Sequence, residues 1–296
     1  MKLATYSDGS RDGQLAVVSR DLTQAHYASG IAGRLQTALD EWNFYAPQLQ
    51  ELAAQLDAGK ARHAFAFDPA RCLAPLPRAY QWLDGRQNGA APRVIQCASD
   101  ALLGAHSPIG AADESQEPDF SAGLAAITGD VPRGALPDQG QDAIRLVTLV
   151  NALYLRAGQE DAAPVAAALG PVAVTPDELG AAWRDARARL ILSVTVNGRK
   201  LGLIEMERMR WSFGDLIAHA ARDRPLVAGT IAGSGAVRGA EDGARGFVSL
   251  AEKRAAERAR EGQPHTPWLR AGDTVRIDMK GADGAPVFGA LEQNVV

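Results

Sequence analysis

The segment PDFSAGLAAITGD, residues 118–130, reads as a β-strand running into a Gly-Asp turn. A strand sends residues i, i+2 and i+4 to the same side. Asp119, Ser121, Gly123 and Ala125 therefore share one face, and bulky apolar side chains are missing from it. A buried strand with small residues on one face leaves room beside it, and what occupies that room decides the function.

The 296 residues are 46% hydrophobic, enough to bury one full core or two unequal ones. The net charge is −4, and Lys and Arg are scattered, with few aromatics among them, which argues against nucleic acid as a partner. No apolar run is long enough to span a bilayer, and the start, MKLATYSDGS, lacks the apolar block of a signal peptide. A cytoplasmic protein without membrane contact is expected. Cys72 and Cys97 form no CxxC pair and are expected as reduced, buried thiols. Cys97 has no base nearby in sequence that would make it a nucleophile.

Working outward, residues 2–6 and 14–19 form a hairpin pattern around SDGSRDG. Ile31, Leu35, Leu39 and Trp42, then Leu49, Leu52 and Leu56, have helical spacing. They predict two amphipathic helices, broken near Pro47 and stopped at Gly59. Residues 85–118 are rich in Gly, Ala, Pro and Ser and are expected to be irregular or partly disordered. QDAIRLVTLVNALYLR, 141–156, is apolar enough for a helix or a buried strand. Thr175 and Glu178 have capping-box spacing around Pro176. Asn197-Gly198 marks a hairpin, WSFGDLIAHAARDRPL a helix, VAGTIAGSGAV a strand with a glycine loop, and the last stretch a strand pair across GADG. The pattern is mixed α+β and β-rich, with a small α+β unit at 1–78 and a β-rich unit at 79–296.

The motifs APLPRAYQWLDG, ITGDVPRGA, IRLVTLVNALYLR, PVAVTPDELG, NGRKLG, FGDLIAHAARDRPLVAGTIAGSG and GDTVRIDMKGADGAPVFGALEQ follow one another along nearly the whole chain. In this order they resemble the fumarylacetoacetate hydrolase family, in its bacterial branch with a separate N-terminal domain. The resemblance implies a β-rich C-terminal core, usually dimeric. It also implies Mg²⁺- or Ca²⁺-dependent cleavage of carbon–carbon bonds in β-diketo acids, or decarboxylation of oxo-acids. A hard divalent cation needs oxygen ligands and would stabilise the departing enolate. A His–acid pair would activate water.

Carried over residue by residue, the family's site is mostly missing. Asp84 in QWLDG matches the first metal ligand. The two Glu of the family's E-x-E strand fall on Ser121 and Gly123, and the Asp of its N-D element falls on Ala152. The segment with the catalytic His is absent after Asp84, the Lys falls near Ala163, and an aromatic substrate contact falls on Ile95. Arg156, Thr230 and Gly233 match positions that line the substrate site. Glu252 matches an acid that supports the missing His.

Each survivor has a second reading. Asp84 is a remnant ligand or a turn residue before Gly85. Asp119 reaches a cation or starts the strand in solvent. Glu252 is an acid–base group or the solvated start of a charged helix. Arg156 grips a carboxylate bidentately or forms a helix-face salt bridge. The loop from Gly229 to Gly235 offers backbone amides to an anion or is a tight turn. The five histidines never fall at metal-ligand spacing.

The leading expectation is a non-catalytic or diverged homologue that binds a small oxo-acid or pairs as a homodimer or with a paralogous subunit. No cofactor is expected beyond weak Mg²⁺ or Ca²⁺. The alternatives are a working enzyme with a rebuilt, metal-independent site, such as a tautomerase or decarboxylase, and residual acylpyruvate hydrolysis. The latter would use Asp84 and Asp119 with Asp113, Glu114 or Glu117.

Overall fold

The computed structural model describes residues 1–110, 113–159, 162–238 and 245–296. Its first part contains strands β1 (Lys2–Tyr6), β2 (Gln14–Val18), β3 (Gln24–Tyr27) and β4 (Phe65–Ala66), with helices α1 (Leu35–Asp40) and α2 (Trp42–Asp57). β1 and β2 pair antiparallel as their alternation predicts. The two helices part at Glu41, where φ is −124°, and not near Pro47. α2 runs on through Pro47 because Leu49, Ala53 and Leu56 are buried along one stripe, which outweighs one lost amide hydrogen bond.

Next come β5 (Trp82–Arg86), β6 (Arg93–Cys97), β7 (Pro118–Thr128), α3 (Pro137–Asp142), β8 (Ile144–Leu155), β9 (Ala166–Leu169) and β10 (Ala173–Val174). The segment expected to be irregular therefore opens as half of an antiparallel hairpin, Asp84 opposite Ile95. Val94 and Ile95 favour a strand there, although Gly, Ala and Pro dominate the composition around them. Within 85–118, residues 111–112 lie outside the described residues. The open choice at 141–156 resolves into the short helix α3 followed by a twelve-residue strand.

The chain continues with β11 (Trp183–Arg184), β12 (Arg187–Ala188), β13 (Ile191–Val196), β14 (Arg199–Glu205), α4 (Phe213–Ala220), β15 (Ile231–Gly233), α5 (Leu250–Glu261), β16 (Thr274–Met279) and β17 (Leu291–Asn294). Asn197 and Gly198 both take positive φ, 52° and 70°, which sets the two-residue turn between β13 and β14. The capping box at Thr175 does not form. The Thr175 hydroxyl accepts from the Met1 amino group at 2.7 Å, and the Glu178 carboxylate accepts from the same group at 3.1 Å.

One large sheet runs β4-β3-β2-β1-β10-β8-β7-β15-β5-β6, with β9 beside β8. Strands from 1–78 thus join strands from the rest of the chain through β1 and β10. β7 and β8, both buried along nearly their whole length, form its centre. Phe120, Ala122, Leu124 and Ala126 enter one apolar core, and Ala125 and Ile127 enter a second on the other face. β13, β14, β16 and β17 form a separate four-stranded sheet.

Candidate functional site

β7 and β8 place the aligned positions side by side. Ser121 pairs with Ala152, Gly123 with Val150 and Asp119 with Tyr154. β15 continues the face: Gly233 lies opposite Ala125 on one side and Asp84 on the other. Three of the residues matched to metal ligands by sequence, Ser121, Gly123 and Ala152, therefore do converge, and Asp84 approaches from β5.

Asp84 is no turn residue. It sits in mid-strand at 2% exposure. Its Oδ2 accepts from the Arg86 guanidinium at 2.5 Å and from the Tyr154 hydroxyl at 3.1 Å. Burial pushes its carboxyl up, against the pull of Arg86 and Tyr154. Asp84 in turn raises Arg86 despite the guanidinium's own desolvation. Tyr154 comes from β8, which β7 and β15 separate from β5 in the sheet. Ser121 and Gly123 add little bulk on the face it crosses.

Asp119 does not start the strand in solvent either. It is 1% exposed and holds two neighbours at once. Oδ2 accepts from Arg156 Nε at 3.1 Å and Nη2 at 2.9 Å. Oδ1 accepts from the Leu250 amide at 2.9 Å, and Oδ2 from the Ala251 amide at 3.3 Å, at the start of α5. A carboxylate at a helix start satisfies donors that have no partner inside the helix. Arg156 follows the last residue of a strand, so no helix-face salt bridge exists. Its guanidinium lies 4.0 Å from the centre of the Tyr154 ring. Burial also raises Asp119 above its ordinary value, with Arg156 acting in the opposite direction.

Glu252 is partly buried on α5 and is not a solvated helix start. Its Oε2 accepts from the Val248 amide at 3.3 Å. Burial raises it, with that amide and Arg238 working the other way. Thr230 is fully buried, and its hydroxyl donates to the Val227 carbonyl at 2.8 Å. The glycine loop spends its amides on the chain itself: Gly229 on Thr128 O, Ile231 on Gln81 O and Ser234 on Leu124 O. A Cβ at Gly233 would stand 2.4 Å from the Trp82 ring, so that ring is packed against the backbone.

Of the other acids, Asp113 caps a short turn through the Ser115 amide, and Glu117 accepts from the Gly158 amide at 2.7 Å. Neither of these hydrogen bonds involves Asp84. Asn151 donates to Gln293 Oε1 at 3.0 Å. Among the described residues no three His, Cys, Asp or Glu side chains come together as a metal-holding group. Both cysteines are free. No helix among the described residues is long and apolar enough to cross a membrane.

Sequence reasoning missed Arg86 and Tyr154 as members of this cluster. The signal was present: Asp84 and Arg86, like Tyr154 and Arg156, are polar residues two apart in otherwise apolar strands. Such spacing puts both on one face.

Comparison with known proteins places these features in context. Residues 1–78 match the model of fumarylacetoacetase N-terminal domain 2, and residues 78–296 match that of the fumarylacetoacetate hydrolase C-terminal domain. No curated protein sequence matches the chain. Among solved structures, the fumarylacetoacetate hydrolase of the psychrophile Exiguobacterium antarcticum is similar at 18% identity and a TM-score of 0.72, over 100% of this chain and 99% of that one. The maleylpyruvate hydrolase of Sphingobium sp. SYK-6, in complex with manganese(II) and pyruvate, is similar at 17% identity and a TM-score of 0.70, over 100% and 99%. A probable 2-hydroxyhepta-2,4-diene-1,7-dioate isomerase of Mycobacterium abscessus is similar at 16% identity and 0.71, over 100% and 98%. At these identities the likeness is one of fold.

Proposed function

The chain belongs to the fumarylacetoacetate hydrolase family, and we propose that it is a member whose divalent-metal site for carbon–carbon hydrolysis has been replaced by a network of paired charges. The observation that supports this reading most directly is the Asp84 carboxylate, bound by Arg86 and Tyr154.

A hard divalent cation takes six or more oxygen ligands, several of them carboxylates. Here Ser121 and Ala152 offer no carboxylate, and Gly123 has no side chain. The Asp84 oxygen nearest the cluster already faces a guanidinium. A second cation brought to Asp84 would meet the positive charge of Arg86 within a few ångströms, where low dielectric leaves repulsion poorly screened. The residues present do not fit the metal.

The charges of the network oppose one another in pairs. Two carboxylates, Asp84 and Asp119, meet two guanidiniums, Arg86 and Arg156. An oxo-acid gripped here would have to displace Asp119 from Arg156, and the loop amides are already committed. Of the two non-catalytic roles, pairing with a second family subunit fits this filled site better than holding an oxo-acid in it. A metal-independent enzyme remains the second reading, favoured by Glu252, an acid raised by burial beside the charged cluster. A buried carboxyl with a raised pKa is a candidate proton donor.

The test is hydrolysis of acylpyruvates, followed as loss of the enol absorbance, with and without Mg²⁺ or Mn²⁺. No turnover in either condition is the expected result. Turnover that chelator or Asp84→Ala abolishes would overturn the reading. Metal-insensitive turnover lost in Glu252→Gln would establish the alternative.

A further inference from the structure

A second site borders this cluster at Leu250, whose amide binds Asp119, but opens on other residues. Between the β13–β14 turn, the start of α5 and residues 266–273 there is a cleft of about 520 Å³. Four cations from three elements line it: Arg199 and Lys200 on β14, Lys253 on α5 and Arg270 on the loop that follows. None of the four forms a salt bridge among the described residues, in a chain whose net charge is −4.

The cleft's one acid is already used. Asp273 accepts from Asn197 Nδ2 at 2.8 Å and from the Arg270 backbone amide at 2.8 Å. An adjoining hollow of about 200 Å³ adds Arg254 and Glu114. Positive charge therefore predominates over the lining.

Both walls are held firmly. On the hairpin side, the Asn197 amide donates to Thr274 O at 2.9 Å, and the Thr274 amide donates back to Asn197 Oδ1 at 2.8 Å. On the loop side, Glu257 accepts from the His265 and Thr266 amides at 2.7 and 2.8 Å and from the Thr266 hydroxyl at 2.5 Å. The Arg254 guanidinium stacks 4.2 Å from the Trp268 ring centre and donates to Thr266 O. Leu269 is tied to Pro118 O at 3.0 Å. A fixed frame lined mainly by cations favours an anion through its positive potential. It also prepays much of the ordering that a ligand would otherwise cost.

We infer that this cleft binds a small phosphorylated organic anion of about nucleotide size. A phosphate monoester carries about −1.5 to −2 at neutral pH, so two phosphate groups match four cations where one carboxylate does not. Arginine forks take phosphate oxygens two at a time, and lysines add point charge. The volume lies within the usual range of about 300–1,000 Å³ for small-molecule sites. Trp268, whose ring also carries the Arg254 guanidinium, borders the cleft where the organic part would lie.

Calorimetric titration of the full chain with inorganic pyrophosphate at low salt is the direct test, with citrate and ADP as comparison arms. One-to-one binding is expected, at least tenfold weaker in Lys200→Ala/Arg270→Ala, whose unfolding temperature should match the wild type. ADP should bind more tightly than pyrophosphate, and Trp268→Phe should reduce that difference. Absence of pyrophosphate binding, or binding unchanged in the double variant, would overturn the site. Citrate binding as tightly as pyrophosphate would overturn the phosphate assignment.

Discussion

The Ser234 hydroxyl stands 2.5 Å from where a Cβ on Gly123 would be. That hydroxyl accepts from the Leu124 amide at 3.2 Å and donates to Gly235 O at 2.9 Å. β7 and the end of β15 are thus fitted to each other through a residue that cannot carry a side chain. Gly123→Ala should destabilise the protein by about 1–3 kcal/mol through overpacking. Adding Ser234→Ala should cost less than the sum of the two single changes, because it removes the clashing atom. Urea unfolding of the four proteins measures this, and simple additivity would contradict the packing described.

Arg86→Ala removes one partner of a buried pair and leaves Asp84 with Tyr154 alone. Such a change costs about 3–5 kcal/mol. Asp84→Ala/Arg86→Ala should recover part of that loss, since no uncompensated charge stays buried. If the double variant were as unstable as the sum of the singles, the two residues would not be coupled.

Restoring carboxylates should not by itself restore metal binding. Ser121→Glu/Ala152→Asp should bind Mn²⁺ weakly in calorimetry while Arg86 is present, and at least tenfold more tightly once Arg86→Ala is added. Equal affinity in both backgrounds would show that the guanidinium does not keep cations out.

Glu252 gives a pH signature whose sign can be worked out. Its folded value is raised above the ordinary 4.5 by burial. Its stabilising contribution is therefore complete below about pH 4.5 and is lost as pH rises through the raised value. Glu252→Gln should flatten that part of the profile of unfolding temperature against pH. A variant profile parallel to the wild type throughout would rule out the shift.

Neither thiol should react readily. Burial pushes Cys72 up to about 12 and Cys97 up to about 11, with Asp84 adding to the latter. At pH 8 the thiolate fraction is small, so modification by Ellman's reagent should be slow in the folded protein and fast in denaturant. Rapid labelling of native Cys97 would point to a nucleophile after all.

How far the sequence could be read depended on whether a signal was local. Alternation along 118–128 and the Asn197-Gly198 turn report directly on neighbouring residues, and both appear as the sequence implies. The family resemblance and the α+β, β-rich class likewise rest on ordered motifs along the chain. The role of Asp119 was not legible, because its partners Arg156, Leu250 and Ala251 are brought to it by the fold. The polar spacing of Tyr154 and Arg156 marks a shared face, but not that Tyr154 meets Asp84, because β8 and β5 are far apart in sequence and not adjacent in the sheet. The capping spacing at Thr175 and Glu178 was locally sound, yet both side chains turn to the Met1 amino group.

β15 is only three residues long, yet among the described strands it is the one that joins the β5–β6 hairpin to the rest of the large sheet. Gln87 and Ser234, which bond across that junction at 2.7 Å, lie 147 positions apart along the chain. Closing so long a loop is entropically costly and is rewarded only when the contacts on both sides form. The hairpin that carries Asp84 and Arg86 is therefore expected to dock late in folding, bringing its two charges out of water as a pair.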